Sequence, residues 1–179
     1  DRIHPALFAQ CGVDTVRVTG GEPLLQKDVR GFIEKIRALG YKIKLDTNGS
    51  FPDKLRELVE AGLIDRVAMD IKNSPALYGA TVGREDFDLG PVRESRDFLM
   101  QGTVEYEFRT TAVKGLHTEE SIAEAAQWIS GAREYYLQQY KDSGDVISAG
   151  GLGAFNEEEM RALARAAAVY VPSVQVRGV

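Results

Sequence analysis

The 179-residue sequence predicts an α/β fold built on a parallel sheet, and three observations predict it. Short β-branched or alternating apolar runs take turns with amphipathic helical stretches along the chain. The helical stretches stop at glycines, the residues that most readily accept a positive φ. No strand is followed by the glycine-rich fingerprint of a dinucleotide-binding sheet. Strand–helix alternation implies parallel strands joined by right-handed crossovers. Lack of the fingerprint favours a complete or partial β/α barrel over an open doubly wound sheet.

The elements follow in order. Residues 15–19 (TVRVT) form the first strand, and Val29, Phe32, Ile33, Ile36 and Leu39 mark the apolar side of a helix ended by Gly40. Residues 42–46 (KIKLD) are the next strand, and Ser50 with Asp53 reads as an N-cap pair for a helix running through Leu55, Leu58 and Val59 to Gly62. Residues 65–71 (DRVAMDI) give a third strand, 73–91 a loop, and 92–101 a helix ended by Gly102. Residues 104–113 alternate as a strand, and Thr118 caps a helix whose first turn carries Glu119 and Glu120, favourable at its positive end. That helix stops near Gly131, and 134–140 is a fifth strand. After a polar, glycine-rich loop over 141–155, Asn156 with Glu159 opens the last helix, and 174–179 closes the chain as a strand. One domain over residues 1–179 accounts for all of it.

Composition narrows the class. Hydrophobic residues are 44% and charged residues 27%, as in ordinary globular proteins. A formal net charge of −5 argues against a broadly basic nucleic-acid-binding face. There is no apolar run of about 18 residues to span a membrane. The opening DRIHPALFAQ lacks a signal-peptide pattern. Cys11 is the single cysteine and has no partner for an internal disulfide, so the cytoplasm is the expected compartment.

Position carries the functional signal. In parallel β/α folds the C-terminal ends of the strands line the ligand crevice. Here those ends read Gly20-Gly21-Glu22-Pro23, Asp46-Thr47-Asn48-Gly49, Met69-Asp70-Ile71-Lys72, Phe108-Arg109-Thr110-Thr111 and Gln138-Gln139-Tyr140. Adjacent glycines admit a close backbone approach to a ligand. Glu22 suits an ammonium or ribose hydroxyls, and Arg109 and Lys72 suit a carboxylate or phosphate. Asp46 and Asp70, on neighbouring strands, repel unless a cation lies between them. Each piece alone has an ordinary reading: Gly-Gly-Glu-Pro as a turn, Asn48-Gly49 as a turn, Asp70 and Lys72 as a surface ion pair. Their joint placement at strand ends has none, and it suits a zwitterionic ligand that carries a sugar.

These strings resemble a known family. Residues 16–25 (VRVTGGEPLL) are similar to the Gly-Gly-Glu motif of radical S-adenosylmethionine (SAM) enzymes. LDTNG at 45–49 and MDIK at 69–72 resemble the second and third rim motifs of its glycyl-radical-enzyme activase branch. YEFRTT at 106–111, GLHTEE at 115–120, LQQY at 137–140 and the ending VRGV are closest to activating proteins of anaerobic ribonucleoside-triphosphate reductase. The resemblance implies a partial (β/α)6 barrel, a [4Fe–4S] cluster held by three cysteines, and SAM chelated to the fourth iron. Reductive cleavage would give methionine and a 5′-deoxyadenosyl radical, which removes a hydrogen from a glycine of the partner enzyme. An electron donor such as flavodoxin or ferredoxin is implied as well. Carried over by position, Gly20, Gly21 and Glu22, with Pro23, hold the SAM amino group; Lys72 and Arg109 contact its carboxylate or ribose; Asn48 belongs to the same cofactor set. Asp46, Thr47 and Asp70, with a backbone carbonyl near Ala68, match a monovalent-cation site, and Tyr140 replaces a histidine of the family.

One departure is large. The family's Cys-x-x-x-Cys-x-x-Cys is absent, and the chain does not open with methionine, so a truncated core lacking its first strand and cluster loop is expected. Cys11 reads as a small buried hydrophobe. His4 and His117 lack metal-ligand company, Gly150–Gly153 lacks the Lys-Ser/Thr of a phosphate loop, Trp128 reads as core, and Glu157–Glu159 as a solvated helix start. Two other functions fit the same strings: a radical SAM enzyme acting on a small molecule, in the manner of deazapurine synthases, and a cluster-free SAM-binding scaffold.

Overall fold

A computed structural model of the protein describes residues 14–141 and 151–179. Its centre is a six-stranded sheet in the order β1 (Thr15–Val18), β2 (Lys42–Thr47), β3 (Arg66–Asp70), β4 (Glu105–Ala112), β5 (Tyr135–Gln139) and β6 (Val174–Arg177). Every neighbouring pair is parallel. The connecting helices are α1 (Val29–Ala38), α2 (Pro52–Glu60), a short α3 (Tyr78–Thr81), α4 (Gly90–Met100), α5 (Glu119–Trp128) and α6 (Glu157–Ala167). Sequential parallel order with right-handed crossovers puts all helices on one face, and the sheet stays open between β1 and β6. This is the expected α/β architecture of a partial (β/α)6 barrel.

Side-chain alternation divides the sheet into two chemistries. Ile43, Leu45, Val67, Met69, Tyr106, Phe108, Tyr135 and Leu137 point to the helices and form the buried core with Ile33, Leu55, Leu99, Ile122 and Leu163. The alternate residues face inward and are mostly charged: Arg17, Lys44, Asp46, Arg66, Asp70, Glu107, Arg109 and Arg177.

Local expectations met the structure unevenly. Gly40, Gly62, Gly102 and Gly131 end their helices at φ between 67° and 91°. Thr118 and Asn156 close reciprocal capping boxes with Ser121 and Glu159. Ser50 is not the cap of α2: its amide goes to Asn48 Oδ1 at 2.9 Å, and the helix starts at Pro52, whose fixed φ suits the first turn. Phe32 (43% exposed) and Leu39 (42%) stay outside the core, because α1 packs through Val29, Ile33 and Ile36. Trp128 is half-buried, edge-on to Tyr78 and beneath the Arg96 guanidinium. His4, Cys11 and most of the 141–155 loop lie outside the described residues.

At the floor of the inner face, Glu107 is 1% exposed and accepts from Lys44 (2.9 Å), Arg66 (2.8 Å) and Arg177 (3.1 Å), with Arg177 lying over the Tyr136 ring. Burial pushes this carboxyl up, but the three cationic donors outweigh it and hold its pKa at about 2. A carboxyl depressed in the folded state stabilises above its unfolded pKa and loses that contribution as pH falls through the folded value. We expect wild-type stability to fall between pH 5.5 and pH 2.5 by about 2 kcal/mol more than that of Glu107→Gln, after discounting for the part-exposed partners. Urea unfolding at the two pH values measures this, and equal losses would count against it.

Candidate functional site

The C-terminal strand ends meet along one rim because all strands run the same way. Register puts Asp70 beside Arg109 and Asp46 beside Ala68, so Arg109 on β4 lies across from both carboxylates. Its Nη1 donates to Asp46 Oδ2 at 2.9 Å, and its Nε and Nη2 reach Asp70 Oδ1 at 3.0 and 2.8 Å. Asp46 Oδ2 also accepts from Arg17 Nε (2.5 Å) on β1 and from Thr19 Oγ1 (3.2 Å) just after it. Lys72 Nζ closes the set on Asp70 Oδ2 at 2.9 Å. Among the described residues, the Arg109 guanidinium supplies positive charge between Asp46 and Asp70. Burial opposes the charge on Arg109, and Asp70 and Asp46 overcome that opposition, raising its pKa above the ordinary guanidinium value.

Glu22 builds the other half of the rim. Its carboxylate caps the 3-10 turn Pro23–Leu25 through the Leu24 amide at 3.0 Å. It also accepts from Thr47 Oγ1 (3.0 Å) and the Asn48 amide (2.6 Å), so it ties the loop after β1 to the loop after β2. Lys54 holds the same loop from α2, donating to Leu24 O at 2.6 Å. Gly20 adopts φ +154°, and a Cβ built at Gly20 or Gly21 meets nothing within 4 Å, so this backbone faces open space. Gly49 is different: φ is +79°, and a Cβ there would run into Met69. The Asn48-Gly49 turn thus needs its glycine for conformation and for space.

Eight of the rim positions named from sequence, Gly20 to Pro23, Asp46, Asn48, Asp70 and Lys72, lie on strand ends or the loops that follow them, and Arg109 lies within β4 opposite Asp70, the last residue of β3. Thr47 lies apart: its side chain takes the helix side and is engaged by Glu22 and the Gly49 amide, away from Asp46 and Asp70. Asp46 Oδ1 is buried without a hydrogen-bond partner. The sequence assigned no rim role to Arg17, Thr19, Asn73 or His117. Arg17 was findable, since it alternates with Val16 and Val18 on a strand. For the others the signal is tertiary.

The residues fit SAM and a cluster unequally. The open glycine backbone and the exposed Lys72 amine beside a buried carboxylate–guanidinium group suit a zwitterion such as SAM. No described residue is a cysteine, and the described residues contain no group of three or more His, Cys, Asp or Glu able to hold a metal ion. They do not form a [4Fe–4S] site. Nor is any helix among them long and apolar enough to cross a membrane.

Comparisons with known proteins agree with this geometry. Residues 6–88 match the family model described as the radical SAM superfamily. The Methanocaldococcus jannaschii protein MJ1227, described as a glycyl-radical enzyme activating enzyme, is 34% identical over 170 residues, covering 92% of this chain and 70% of that protein. GTP 3′,8-cyclase of Aquifex aeolicus is 32% identical over 119 residues, and the match spans 65% of this chain but only 37% of the cyclase. A solved domain of pyruvate-formate lyase-activating enzyme from Bacteroides vulgatus superimposes with a TM-score of 0.72, covering 91% of this chain and 98% of that one, at 16% identity, a likeness of fold. Sequence motif, relative and fold converge, and the chain belongs to the radical SAM superfamily.

Proposed function

We propose that this chain is the core of a cytoplasmic activating enzyme that uses SAM to place a glycyl radical on a partner enzyme, with anaerobic ribonucleoside-triphosphate reductase as the partner and flavodoxin or ferredoxin as the electron donor. The observation that carries this reading is the joined rim. Glu22 ties Gly20–Gly21 to Thr47–Asn48, and Arg109 ties Asp46 to Asp70, so one surface presents open backbone, a buried charge group and the half-exposed Lys72 amine on Asp70. The similarity to MJ1227 along most of the chain supports the activase type.

SAM, when bound and reduced, supplies the 5′-deoxyadenosyl radical. This chain's residues bind and orient it. The carbonyls of Gly20 and Gly21 accept from the amino group, Lys72 meets the carboxylate, and Glu22, held by the Asn48 amide, fixes the loop that presents those carbonyls. A monovalent cation belongs to the same proposal through Asp46 Oδ1, the buried acceptor without a donor. The likeness to GTP 3′,8-cyclases favours a second reading, in which the radical acts on a small molecule.

The test uses this chain extended ahead of Asp1 by a segment bearing Cys-x-x-x-Cys-x-x-Cys and carrying a reconstituted cluster, with SAM, dithionite and purified anaerobic reductase. The expected result is 5′-deoxyadenosine together with a glycyl-radical doublet on the reductase by electron paramagnetic resonance. SAM affinity at fixed ionic strength should rise with potassium and then level off. Turnover of SAM without a radical on any glycyl-radical enzyme would favour the small-molecule reading. An affinity indifferent to potassium removes the cation.

A further inference from the structure

The ladder hydrogen bonds of β3 end where the rim begins. The Ile71 amide still donates to Arg109 O at 2.7 Å, but the following carbonyls have left the sheet. Each is met by a side chain from a different place. Thr110 Oγ1 on β4 donates to Ile71 O at 2.5 Å, and it is itself bonded to the Tyr135 hydroxyl of β5 at 2.6 Å. His117, in the turn before α5, places Nε2 at 2.8 Å from Lys72 O. Asn73 then spans outward, donating to Leu116 O and Thr81 Oγ1, both at 2.9 Å, while its Oδ1 accepts from the Ser74 amide. Asn73 is fully buried and His117 is 5% exposed.

His117 uses both ring nitrogens. Lys72 O can only accept, so Nε2 carries a proton and donates it there, while Nδ1 lies 3.1 Å from the Val113 amide and 3.3 Å from Val113 O. Burial lowers the pKa of His117, consistent with a neutral ring. One imidazole thus bridges the exit of β4 to the exit of β3. Lys72 is freer than Arg109: its side chain is 42% exposed, against 8%. Where its amine is presented depends on where its backbone is held.

We infer that His117 is a positioning residue for ligand binding at the rim, acting through the Lys72 carbonyl it holds. The inference rests on the reading of the rim as a SAM site. A buried donor–acceptor bridge between two strand exits is built at a cost in side-chain and desolvation terms that a plain turn does not need, and the backbone it fixes is the one that carries Asp70 and Lys72.

Calorimetric titration of SAM into the same extended, cluster-loaded protein tests this, with His117→Leu, His117→Gln, Lys72→Met and the double variants. His117→Leu removes the donor and should weaken SAM roughly tenfold, the scale of one lost hydrogen bond to a positioned group. His117→Gln retains a donor and should stay within about threefold. In the Lys72→Met background, His117→Leu should cost nothing further, a non-additivity that a merely structural role does not produce. His117→Asn, too short to span both strands, gives the same reading if His117→Leu does not fold. Unchanged affinity, or an equal loss with Lys72 already removed, overturns the inference. If wild-type protein binds no SAM, the site reading fails. The clamp is then read by amide exchange at residues 72–74: faster in His117→Leu and not in His117→Gln supports it, and no difference overturns it.

Discussion

Replacing Arg109 by leucine should lower the stability of the protein by about 3 kcal/mol and weaken SAM binding by roughly tenfold to a hundredfold. The side chain is 8% exposed and is the shared partner of two carboxylates on neighbouring strands. Without it, Asp46, 4% exposed, and Asp70 face each other across the rim. Removing one member of a buried charge group leaves the other members desolvated and unpaired, and that penalty exceeds the net worth of the pair. Arg17 and Lys72 remain on the two carboxylates, which keeps the loss in the lower part of the usual range. In a protein of this size the loss should appear as a fall in Tm of about 6–12 °C. Arg17→Leu makes the comparison: that side chain is 55% exposed, so its loss should cost less than about 1 kcal/mol although it touches the same carboxylate oxygen. Adding Asp46→Asn to Arg109→Leu should recover part of the lost stability, because it removes the stranded charge. Scanning calorimetry on the three variants decides. A change in Tm of under about 2 °C in Arg109→Leu would show that Asp46 and Asp70 do not depend on Arg109.

This central role of Arg109 shows what sequence can and cannot carry. That Gly20–Pro23, Asp46–Gly49, Asp70–Lys72 and Arg109 share a rim follows from strand direction alone, because parallel strands put their C-terminal ends together. That Arg109 neutralises Asp46 and Asp70 requires the register, with Asp70 opposite Arg109 and Asp46 one strand further away, and register has no local signature. Helix stops at Gly40 and Gly102 were legible because a positive φ is a local property of glycine. Ser50 misled because two local choices compete: Asn48 captures its amide in a turn, and Pro52 sets the helix start. The four-residue helix Tyr78–Thr81 is too short to establish a period, and it is positioned by tertiary bonds such as that between Asn73 and Thr81. His117 looks from sequence like a residue before a helix cap, and only the fold brings Lys72 O to its ring.

The 179-residue chain should take up far fewer than about four irons per monomer on anaerobic reconstitution and release no 5′-deoxyadenosine with dithionite. A [4Fe–4S] cluster is ordinarily held by cysteine thiolates, and this sequence contains one cysteine, Cys11. The rim supplies carboxylates, guanidinium groups and an amine, and these are committed to one another: Asp46 and Asp70 to Arg109, and Glu22 to Thr47 and Asn48. Such oxygens are poor substitutes for soft thiolate ligands on iron–sulfur clusters. Any SAM bound by the rim alone would lack both the electron and the iron that family members use. A longer chain carrying three cysteines spaced Cys-x-x-x-Cys-x-x-Cys ahead of Asp1 should gain the brown chromophore and the 5′-deoxyadenosine product together. Cys11→Ala in that longer chain should change neither, since a fourth thiolate would occupy the iron that SAM needs. Near-stoichiometric cluster in the 179-residue chain, or loss of activity in Cys11→Ala, would place Cys11 among the ligands.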